Sequence, residues 1–336
     1  MFTFGLPGGV HGFDPLVLLL IALVLEAYIG DAAFIFGRVP HPVALIGKLV
    51  AVLDRKLNRE HRGQMDRAVR GLVVVVVVAG LAAVIGWAVA WLSQNHDFGF
   101  ALELILLVLL LAQRGLYDHV KAVAVALKSD GLEAGRGAVA HIVGRDPLQL
   151  DEYGVARAAN ESLAENFSDG VVAPAFWYLL FGMPGLLVYK AVNTMDSMIG
   201  HTTPRYRAFG MAAARMDDIL NLIPARLSGL FIVLASIFAP NARPGGALKV
   251  MLRDAGKHRS MNAGWPEGAM AGAFGLALAG PRRYREHVAD DPWVGDGRAR
   301  VLPEDIRLAL YLYLVACLIN GGWIATVAVI RYGYGV

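Results

Sequence analysis

The sequence Gly71-Leu-Val-Val-Val-Val-Val-Val-Ala-Gly-Leu-Ala-Ala-Val-Ile-Gly-Trp-Ala-Val-Ala-Trp-Leu92 runs for twenty-two residues without a charged side chain. An α-helix of this length rises about 33 Å, which is enough to cross the hydrocarbon core of a bilayer, roughly 30 Å thick. The stretch therefore predicts a transmembrane helix, and it decides the fold class of the chain.

The composition of the whole chain agrees with this prediction. Of its 336 residues, 56% are hydrophobic and 18% are charged, and the mean hydropathy is +0.51. These values are too apolar for an ordinary soluble domain. The net charge of +3 comes from lysines and arginines in loops, which report membrane orientation, so we expect no nucleic-acid partner. The single cysteine, Cys317, excludes a disulfide framework and a cysteine-rich metal site.

Three further apolar segments predict transmembrane helices. Residues 308–330 are nearly as apolar as the first stretch. Residues 16–30 and 98–112 are shorter, close to the lower limit for spanning, and they carry Glu26 and Glu103. Predicted membrane helices therefore both precede and follow residues 71–92 in the sequence.

Two more apolar segments are interrupted. Residues 171–188 contain Pro174 and a Gly-Met-Pro-Gly sequence at 182–185, and residues 219–239 contain a proline and polar side chains. Either both segments span the membrane, or both enter it and return, because irregular backbone at membrane depth needs protein or water around it. We favour re-entry for 171–188, since two spans would move the polar residues between the segments to the opposite face.

Loop charges predict the orientation. Residues 31–70 hold eight lysines and arginines, 113–170 hold six and 241–307 hold eleven, whereas 93–97 hold none. The positive-inside rule therefore places the three basic loops in the cytoplasm. Strand signals are scarce, so we predict an all-α, polytopic integral membrane helical bundle with a helical cytoplasmic layer, forming one domain over 1–336.

The first polar motif is a row of acidic residues. If its segment is a helix, Arg157, Glu161, Glu165 and Asp169 follow at four-residue spacing and share one face, with Asn166 beside them. Neighbouring acids repel, so a cation should compensate, and Mg²⁺ is the natural candidate. The alternative is a solvated helix face on which Arg157 pairs with Glu161.

The second polar motif follows the interrupted segment. Lys190, Asn193, Thr194 and Ser197 fall on one helical face with Asp196 adjacent, and they offer donors suited to phosphate oxygens. In the alternative interpretation Lys190 extends its ammonium to the membrane interface and the other side chains cap turns.

The third motif consists of Asp217 and Asp218, with Asn221 one helical turn further on and Arg226 after it. Adjacent residues point about 100° apart on a helix, so at most one of the two acids faces a given site, while Asn221 can assist either. Metal coordination is one interpretation, and charge at a helix N-terminus is the other. Arg226 either binds a phosphate group or lies at the level of the lipid headgroups.

A fourth motif lies in the last basic loop. Asp254 and His258 stand one turn apart, so His258 is a candidate base oriented by Asp254, although a lone histidine is more often structural. Gly264, Gly268 and Gly272 follow, and their spacing predicts close helix packing rather than phosphate binding. Familiar nucleotide and hydrolase signatures are absent, so any nucleotide would need a nonstandard site.

The ordered set of motifs has a resemblance. In chain order it comprises Pro40-His41-Pro42-Val43 with Ile46-Gly47, Gly144-Arg145-Asp146, Glu161-Ser162-Leu163-Ala164-Glu165-Asn166 with Asp169-Gly170, Tyr189-Lys190-Ala191 with Asn193-Thr194-Met195-Asp196-Ser197, Tyr206 with Phe209-Gly210, Ala214-Arg215-Met216-Asp217-Asp218 with Asn221, Pro224-Ala225-Arg226-Leu227, and His258 with Ser260 and Asn262. This set closely resembles the adenosylcobinamide-phosphate synthase family, called CobD or CbiB, of cobalamin biosynthesis. One departure is Ala32, where the family usually has proline, and it affects any role for Asp31.

The resemblance implies an integral enzyme of the bacterial cytoplasmic (inner) membrane with its active site facing the cytoplasm. It implies amide bond formation between adenosylcobyric acid and (R)-1-amino-2-propanol O-phosphate, or a related amino alcohol phosphate, with ATP as cosubstrate and Mg²⁺ as cofactor. The expected partners are these substrates and the lipid bilayer. The resemblance is also compatible with an oligomer.

Residue roles follow from side-chain chemistry, since the resemblance brings no catalytic assignment. We expect Glu161, Glu165, Asp217 and Asp218 to hold Mg²⁺ on the ATP phosphates. The expected charge-neutralising side chains are Lys190, Arg215 and Arg226. His258 or Asp196 is the expected base for the amine. The remaining expected nucleotide-binding side chains are Arg157, Asn166, Asn193 and Ser197. All are predicted to meet in one pocket at the cytoplasmic rim of the bilayer.

Two other functions compete with this one. A membrane transporter would also use interrupted apolar segments and intramembrane Glu26 and Glu103, although no inverted repeat is visible. The second competing function is that of a membrane regulatory protein of the beta-lactamase-induction type, which looks like a distant relative of this family. The retained lysine, aspartate, asparagine and arginine motifs favour the enzyme.

Overall fold

The computed structural model describes residues 13–30, 41–144, 146–283, 288–289 and 291–333. The motif residues Asp31, Pro40 and Arg145 lie outside this set. The helices are α1 (Pro15–Ile29), α2 (Pro42–Leu57), α3 (Gln64–Asn95), α4 (Gly99–Leu110), α5 (Gln113–Ser129), α6 (Gly131–Val139), α7 (Glu152–Phe167), α8 (Ala173–Ile199), α9 (Met211–Leu220), α10 (Leu222–Ala235), α11 (Pro244–Asp254), α12 (Gly264–Phe274) and α13 (Pro303–Gly333). The all-α prediction is confirmed.

The chain forms two compact units. The first comprises Met1–Ala112, Ala173–Asn221 and Ile324–Val336, so it holds α1 to α4, α8, α9 and the end of α13. The second comprises Gln113–Val172 and Leu222–Trp323, with α5 to α7, α10 to α12 and most of α13. No change in composition marks these boundaries in the sequence, and the single domain stays a prediction.

Four helical stretches among the described residues are long and apolar enough to cross a membrane. They are Gln64–Asn95, Gly99–Ser129, Glu152–Ile199 and Pro303–Gly333, and a fifth results if Met211–Leu220 and Leu222–Ala235 form one bent span. The predicted spans 71–92 and 308–330 lie inside the first and the last of the four. The chain is an integral membrane protein, as predicted.

The two shorter predicted spans coincide with short helices. α1 has 15 residues and α4 has 12. At 1.5 Å per residue they rise only about 22 Å and 18 Å, less than the roughly 30 Å core. A crossing at α4 therefore requires the helical stretch to continue through α5, and a crossing at α1 stays a prediction.

The predicted interruption of the 171–188 segment lies at one residue. α8 consists of two helical segments that meet at Gly182, where φ is +64° and ψ is −153°, and Pro184 follows inside the helix. A positive φ favours glycine, and proline removes a backbone donor, so the helix breaks here. Pro174 is the second residue of α8, after the π-helical turn Ser168–Val172, and does not interrupt the helical stretch.

In the first unit, α3 packs on α8 through buried residues that recur every four positions. Val74, Val78 and Ala82 are buried on this side, as is Gly86. A Cβ atom on Gly86 would lie 2.5 Å from the Cα of Pro184, closer than real Cβ contacts come. The glycine therefore allows α3 to support α8 directly beside its break.

The second unit has its own hydrophobic core, drawn from α5 to α7 and α10 to α13. Its buried members include Val123, Leu163, Phe231, Met270 and Tyr313. The tyrosine ring meets Phe167 edge to face at 5.6 Å between centroids. Every core helix thus contributes an apolar face to one buried layer.

The glycines of α12 lie against α11. A Cβ on Gly272 would come within 2.2 Å of the carbonyl oxygen of Gly246, and one on Gly268 within 3.1 Å of the Cα of Met251. These contacts confirm that the glycine repeat serves helix packing.

Four two-residue strands interrupt the helical pattern. β1 (Leu278–Ala279) pairs antiparallel with β4 (Trp293–Val294), and β2 (Arg282–Arg283) pairs antiparallel with β3 (Val288–Ala289). The strand pairs lie in the last predicted cytoplasmic loop, where no strand was expected.

We expect Gly86→Ala to destabilise the protein by about 1–3 kcal/mol, because the new methyl group meets backbone that cannot rotate away. The control is Gly80→Ala on the same helix, where nothing lies within 4 Å of the added Cβ. Thermal unfolding of the detergent-solubilised protein, followed by size-exclusion chromatography, measures the difference. Equal unfolding midpoints would contradict this packing.

Candidate active site

The first unit holds a cluster of polar side chains between α8 and α9, which we call the aspartate cluster: Tyr189, Asn193, Asp196, Asp217, Asp218 and Asn221. Asn193 Nδ2 donates to Asp217 Oδ1 at 3.2 Å, and Asn221 Nδ2 donates to Asp217 Oδ2 at 3.0 Å. Buried Tyr189 donates its hydroxyl to Asn221 Oδ1 at 3.0 Å. The Asp217 carboxylate is therefore held at both oxygens by amides, one of which is itself oriented by a buried phenol.

Negative charge accumulates around this carboxylate. Asp196 and Asp218 both repel Asp217, which is also partly desolvated. Arg215 contacts Asp218 at 3.2 Å, but the arginine side chain is 73% exposed. A cation bound between the carboxylates would reduce their repulsion. The arrangement is therefore suited to binding positive charge.

The position of the two adjacent acids corrects one sequence interpretation. Asp217 and Asp218 lie in the last turn of α9, whose range is Met211–Leu220. Carboxylates at a helix C-terminus oppose the helix dipole, so dipole complementation at a helix N-terminus is wrong for this pair. The predicted assistance from Asn221 is confirmed by its hydrogen bond to Asp217.

The second polar motif lies on α8, but its two hydroxyl groups already donate hydrogen bonds to backbone carbonyls. Thr194 donates to the carbonyl of Lys190 at 2.7 Å, and Ser197 donates to the carbonyl of Asn193 at 2.9 Å. These oxygens can still accept hydrogen bonds but do not donate to phosphate in this conformation. Lys190 is buried, contrary to the alternative in which its ammonium reaches the interface.

The acidic row of α7 lies in the second unit. Glu161 is buried, and its Oε1 accepts the backbone N–H of Ala279 at 2.8 Å. Ala279 has a φ of +56°, a strained value for a residue with a side chain. Arg157 lies 3.8 Å from the same carboxylate oxygen and 5.1 Å from the ring centre of Trp293. The pair therefore fixes the β1–β4 strands against α7.

The remaining members of the row are placed differently from one another. Glu165 is exposed, and Asn166 donates to the carbonyl and hydroxyl of Ser162. Asp169 lies in the π-helical turn beyond the α-helix, so the predicted four-residue repeat ends at Glu165. The predicted Arg157–Glu161 pair exists, but its glutamate is not solvated.

His258 faces a different carboxylate from the one predicted. Its Nε2 lies 3.6 Å from Glu267 Oε1, and its Nδ1 accepts the N–H of Ser260 at 3.0 Å. Asp254 instead binds Arg253 and Lys257 and accepts the N–H of Gly295. The hydrogen bond from Arg253 holds the pKa of Asp254 well below its usual range. Orientation of His258 by Asp254 is therefore wrong.

Arg226 lies at the start of α10 in the second unit. Its guanidinium is 4.6 Å from the ring centre of Trp265, and Nη1 donates to the carbonyl of Leu222 at 2.6 Å. Cation–π stacking fixes the plane of the group. Trp265 and Trp293, each stacked on a predicted arginine, were not identified from the sequence, since no local spacing links a tryptophan to an arginine far along the chain.

The described residues of the two units form no preformed cage for a metal ion. Among the described residues, no three histidine, cysteine or acidic side chains are grouped so as to hold one. Mg²⁺ commonly uses only one or two carboxylates together with water and phosphate oxygens. The aspartate cluster fits that use, whereas one oxygen of Glu161 is occupied by a backbone donor. A single pocket for all thirteen predicted residues stays a prediction.

The apolar helices define an integral membrane protein, and the amide-held aspartate cluster is its candidate site. The family model described as "CobD/Cbib protein" matches residues 19–313, so the chain belongs to the CobD/CbiB family. The resemblance recognised from the motifs is confirmed.

Curated relatives agree with this assignment. A protein of Sinorhizobium sp. named "Cobalamin biosynthesis protein CobD" is 48% identical over 94% of this chain and 98% of its own. Relatives of the same name from Rhizobium meliloti and Rhodobacter capsulatus are 49% and 48% identical, over 90% and 88% of this chain and 93% and 92% of theirs. No solved structure matches the chain.

Substitutions at Glu161 separate backbone support from metal binding. Glu161→Gln keeps an oxygen that accepts the Ala279 N–H, so we expect near-normal stability. Glu161→Ala leaves that buried donor unsatisfied and should cost about 1–3 kcal/mol. Thermal unfolding midpoints of the two variants measure this. Equal loss of stability in both variants would show that the hydrogen bond does not support β1. If Glu161→Gln is stable but inactive, a metal-binding role for Glu161 is favoured.

Proposed function

We propose that the protein joins a corrinoid carboxylate to the amine of an amino alcohol phosphate in an ATP-dependent reaction. The substrates are adenosylcobyric acid and (R)-1-amino-2-propanol O-phosphate or a related compound, and the product is adenosylcobinamide phosphate. Family membership supports the pathway. The observation that carries the chemistry is the Asp217 carboxylate, held by two amides and flanked by two further acids.

The reaction proceeds in two steps. A carboxylate oxygen of the corrinoid attacks the γ-phosphorus of ATP, and the bond to the bridging oxygen breaks, so that an acyl phosphate forms and ADP leaves. The amine then attacks the acyl carbon, inorganic phosphate departs with the C–O bonding electrons, and the amine loses its proton to a base. Both steps depend on positioning and on neutralising phosphate charge.

Mg²⁺ would shield the phosphate charge and align the γ-phosphorus with the attacking oxygen. Asp217 and Asp218 are the proposed protein ligands of Mg²⁺. A metal role for Glu161 and Glu165 stays a prediction. Asn193 and Asn221 hold Asp217 in one orientation. Buried Lys190 supplies positive charge from α8, one turn before Asn193 and Thr194 on the same face of the helix.

Charged side chains that stack on aromatic rings suit the anionic substrates. Arg226 on Trp265, and Arg157 on Trp293, keep their guanidinium planes fixed. A fixed guanidinium loses little freedom when it binds a phosphate or a carboxylate. We assign phosphate contacts to these two arginines and to exposed Arg215. Nucleotide contacts from Asn166 and Ser197 stay predictions, since both side chains already donate within their own helices.

Asp196 is the better candidate for the base that takes the ammonium proton. It lies close enough to Asp217 to act on it electrostatically, so an amine beside it would meet concentrated negative charge. His258, by contrast, accepts a backbone N–H at Nδ1 and directs Nε2 at Glu267. A base at that position would first have to give up these contacts.

Purified protein in a neutral detergent tests the reaction directly. Adenosylcobyric acid, aminopropanol phosphate and MgATP should give an amide product, ADP and phosphate in equal amounts by mass spectrometry. Absence of amide with every amino alcohol phosphate would overturn the proposal. Uptake of corrinoid into vesicles without ATP cleavage would favour transport instead.

Asp217→Asn should lower kcat by roughly 10²–10³-fold, since an amide carries no charge to hold a cation on the phosphates. Asp118→Asn is the control, because Asp118 is exposed on α5, outside the predicted site, and pairs with Arg114. Initial rates at saturating substrates give the comparison. Normal turnover of Asp217→Asn would remove this residue from the site.

The two candidate bases are separated by a pH profile. Asp196→Asn should lower kcat and remove the fall in rate toward acidic pH, because the wild-type base must be deprotonated to act. His258→Gln should keep that limb of the profile. The reverse pattern would assign the base to His258.

A further inference from the structure

The outer face of α2 combines basic and apolar side chains. Leu45, Lys48, Val52, Arg55 and Lys56 are all exposed. At 100° per residue these five positions fall within an arc of about 100° on the helix. The opposite side packs inward and holds the two buried residues of the helix, Val50 and Asp54. The helix is thus amphipathic, and its exposed face carries three positive charges beside two aliphatic side chains.

The acidic residues of the same segment do not neutralise this face. Asp54 is buried on the opposite side of α2, where it receives hydrogen bonds from Arg205, Tyr206 and Asn58. Glu60 lies 3.6 Å from Arg205. Within the described part of the chain, no carboxylate forms an ion pair with Lys48, Arg55 or Lys56. The face therefore keeps its positive charge.

Contacts within the first unit fix the level of α2 along α3. Asn58, which follows α2, accepts a hydrogen bond from Arg67 Nε at 2.9 Å. Arg67 is in the first turn of α3, and the charge-free stretch begins at Gly71, about 6 Å further along the axis. The end of α2 therefore lies at the level where the apolar span begins, which is the level of lipid headgroups.

We infer that the outer face of α2 binds the headgroups of anionic phospholipids. Arginine and lysine bind phosphate oxygens, and a basic cluster next to the cytoplasmic end of a span attracts an anionic leaflet. The aliphatic Leu45 and Val52 favour a lipid over a soluble phosphate, because they gain contact only with acyl chains. This inference is independent of the proposed reaction.

Native mass spectrometry tests the inference by counting lipids that remain bound after purification. The full-length protein is mixed with phosphatidylglycerol or phosphatidylcholine in a neutral detergent. The test variant is K48Q/R55Q/K56Q, and the control K121Q/K128Q/K249Q removes the same charge from exposed residues of the second unit. Each basic side chain near an anionic surface changes binding roughly fivefold, so the test variant should bind phosphatidylglycerol about a hundredfold more weakly.

The control should bind phosphatidylglycerol like the wild type, and phosphatidylcholine should bind weakly to all three proteins. Equal retention of phosphatidylglycerol by wild type and test variant would overturn the inference. Displacement of the lipid by millimolar inorganic phosphate or ATP would also overturn it, since the face would then be a soluble-phosphate site. In bilayer nanodiscs, a Val52→Trp variant should show more quenching by lipids brominated near the headgroup than the wild type, whose exposed Trp87 and Trp91 give the baseline. Quenching equal to that baseline would contradict the placement of the helix.

Discussion

The close contact of α3 with the backbone at Pro184 is the constraint on which the first unit depends. Gly182 and Pro184 interrupt the hydrogen-bond ladder of α8, and such a break is tolerated at membrane depth only when other protein covers it. Gly86 allows α3 to provide that cover because it has no side chain. The half of α8 that follows the break carries Tyr189, Asn193 and Asp196, so the site residues are held on a helix that α3 supports.

A second constraint fixes the connection between α8 and α9. The carbonyl of Arg205 accepts hydrogen bonds from Asn58 and Arg67, and its guanidinium binds Asp54. α2 and α3 therefore hold the connection that sets the separation of Asn193 from Asp217. These residues do not touch the aspartate cluster, yet they determine where its two helices meet.

The sequence predicts the features that depend on local composition. The charge-free stretch, the break near Gly182, the stripe on α8 and the packing role of the α12 glycines all follow from spacing or residue type. Sequence spacing fails where a partner comes from another element. His258 pairs with Glu267 rather than Asp254, and Glu161 holds the backbone of Ala279, because tertiary packing rather than helical periodicity chooses these partners. The π-helical turn also displaces Asp169 from the predicted row.

The hydrogen bonds that reach Asp217 have a fixed direction. The Tyr189 hydroxyl donates to the oxygen of Asn221, so the nitrogen of this amide is the atom that faces the carboxylate. Deamidation of Asn221 would keep the shape of the side chain but reverse this polarity, since a carboxylate can only accept. Conversion of this one amide to a carboxylate would thus place a second negative charge directly against Asp217.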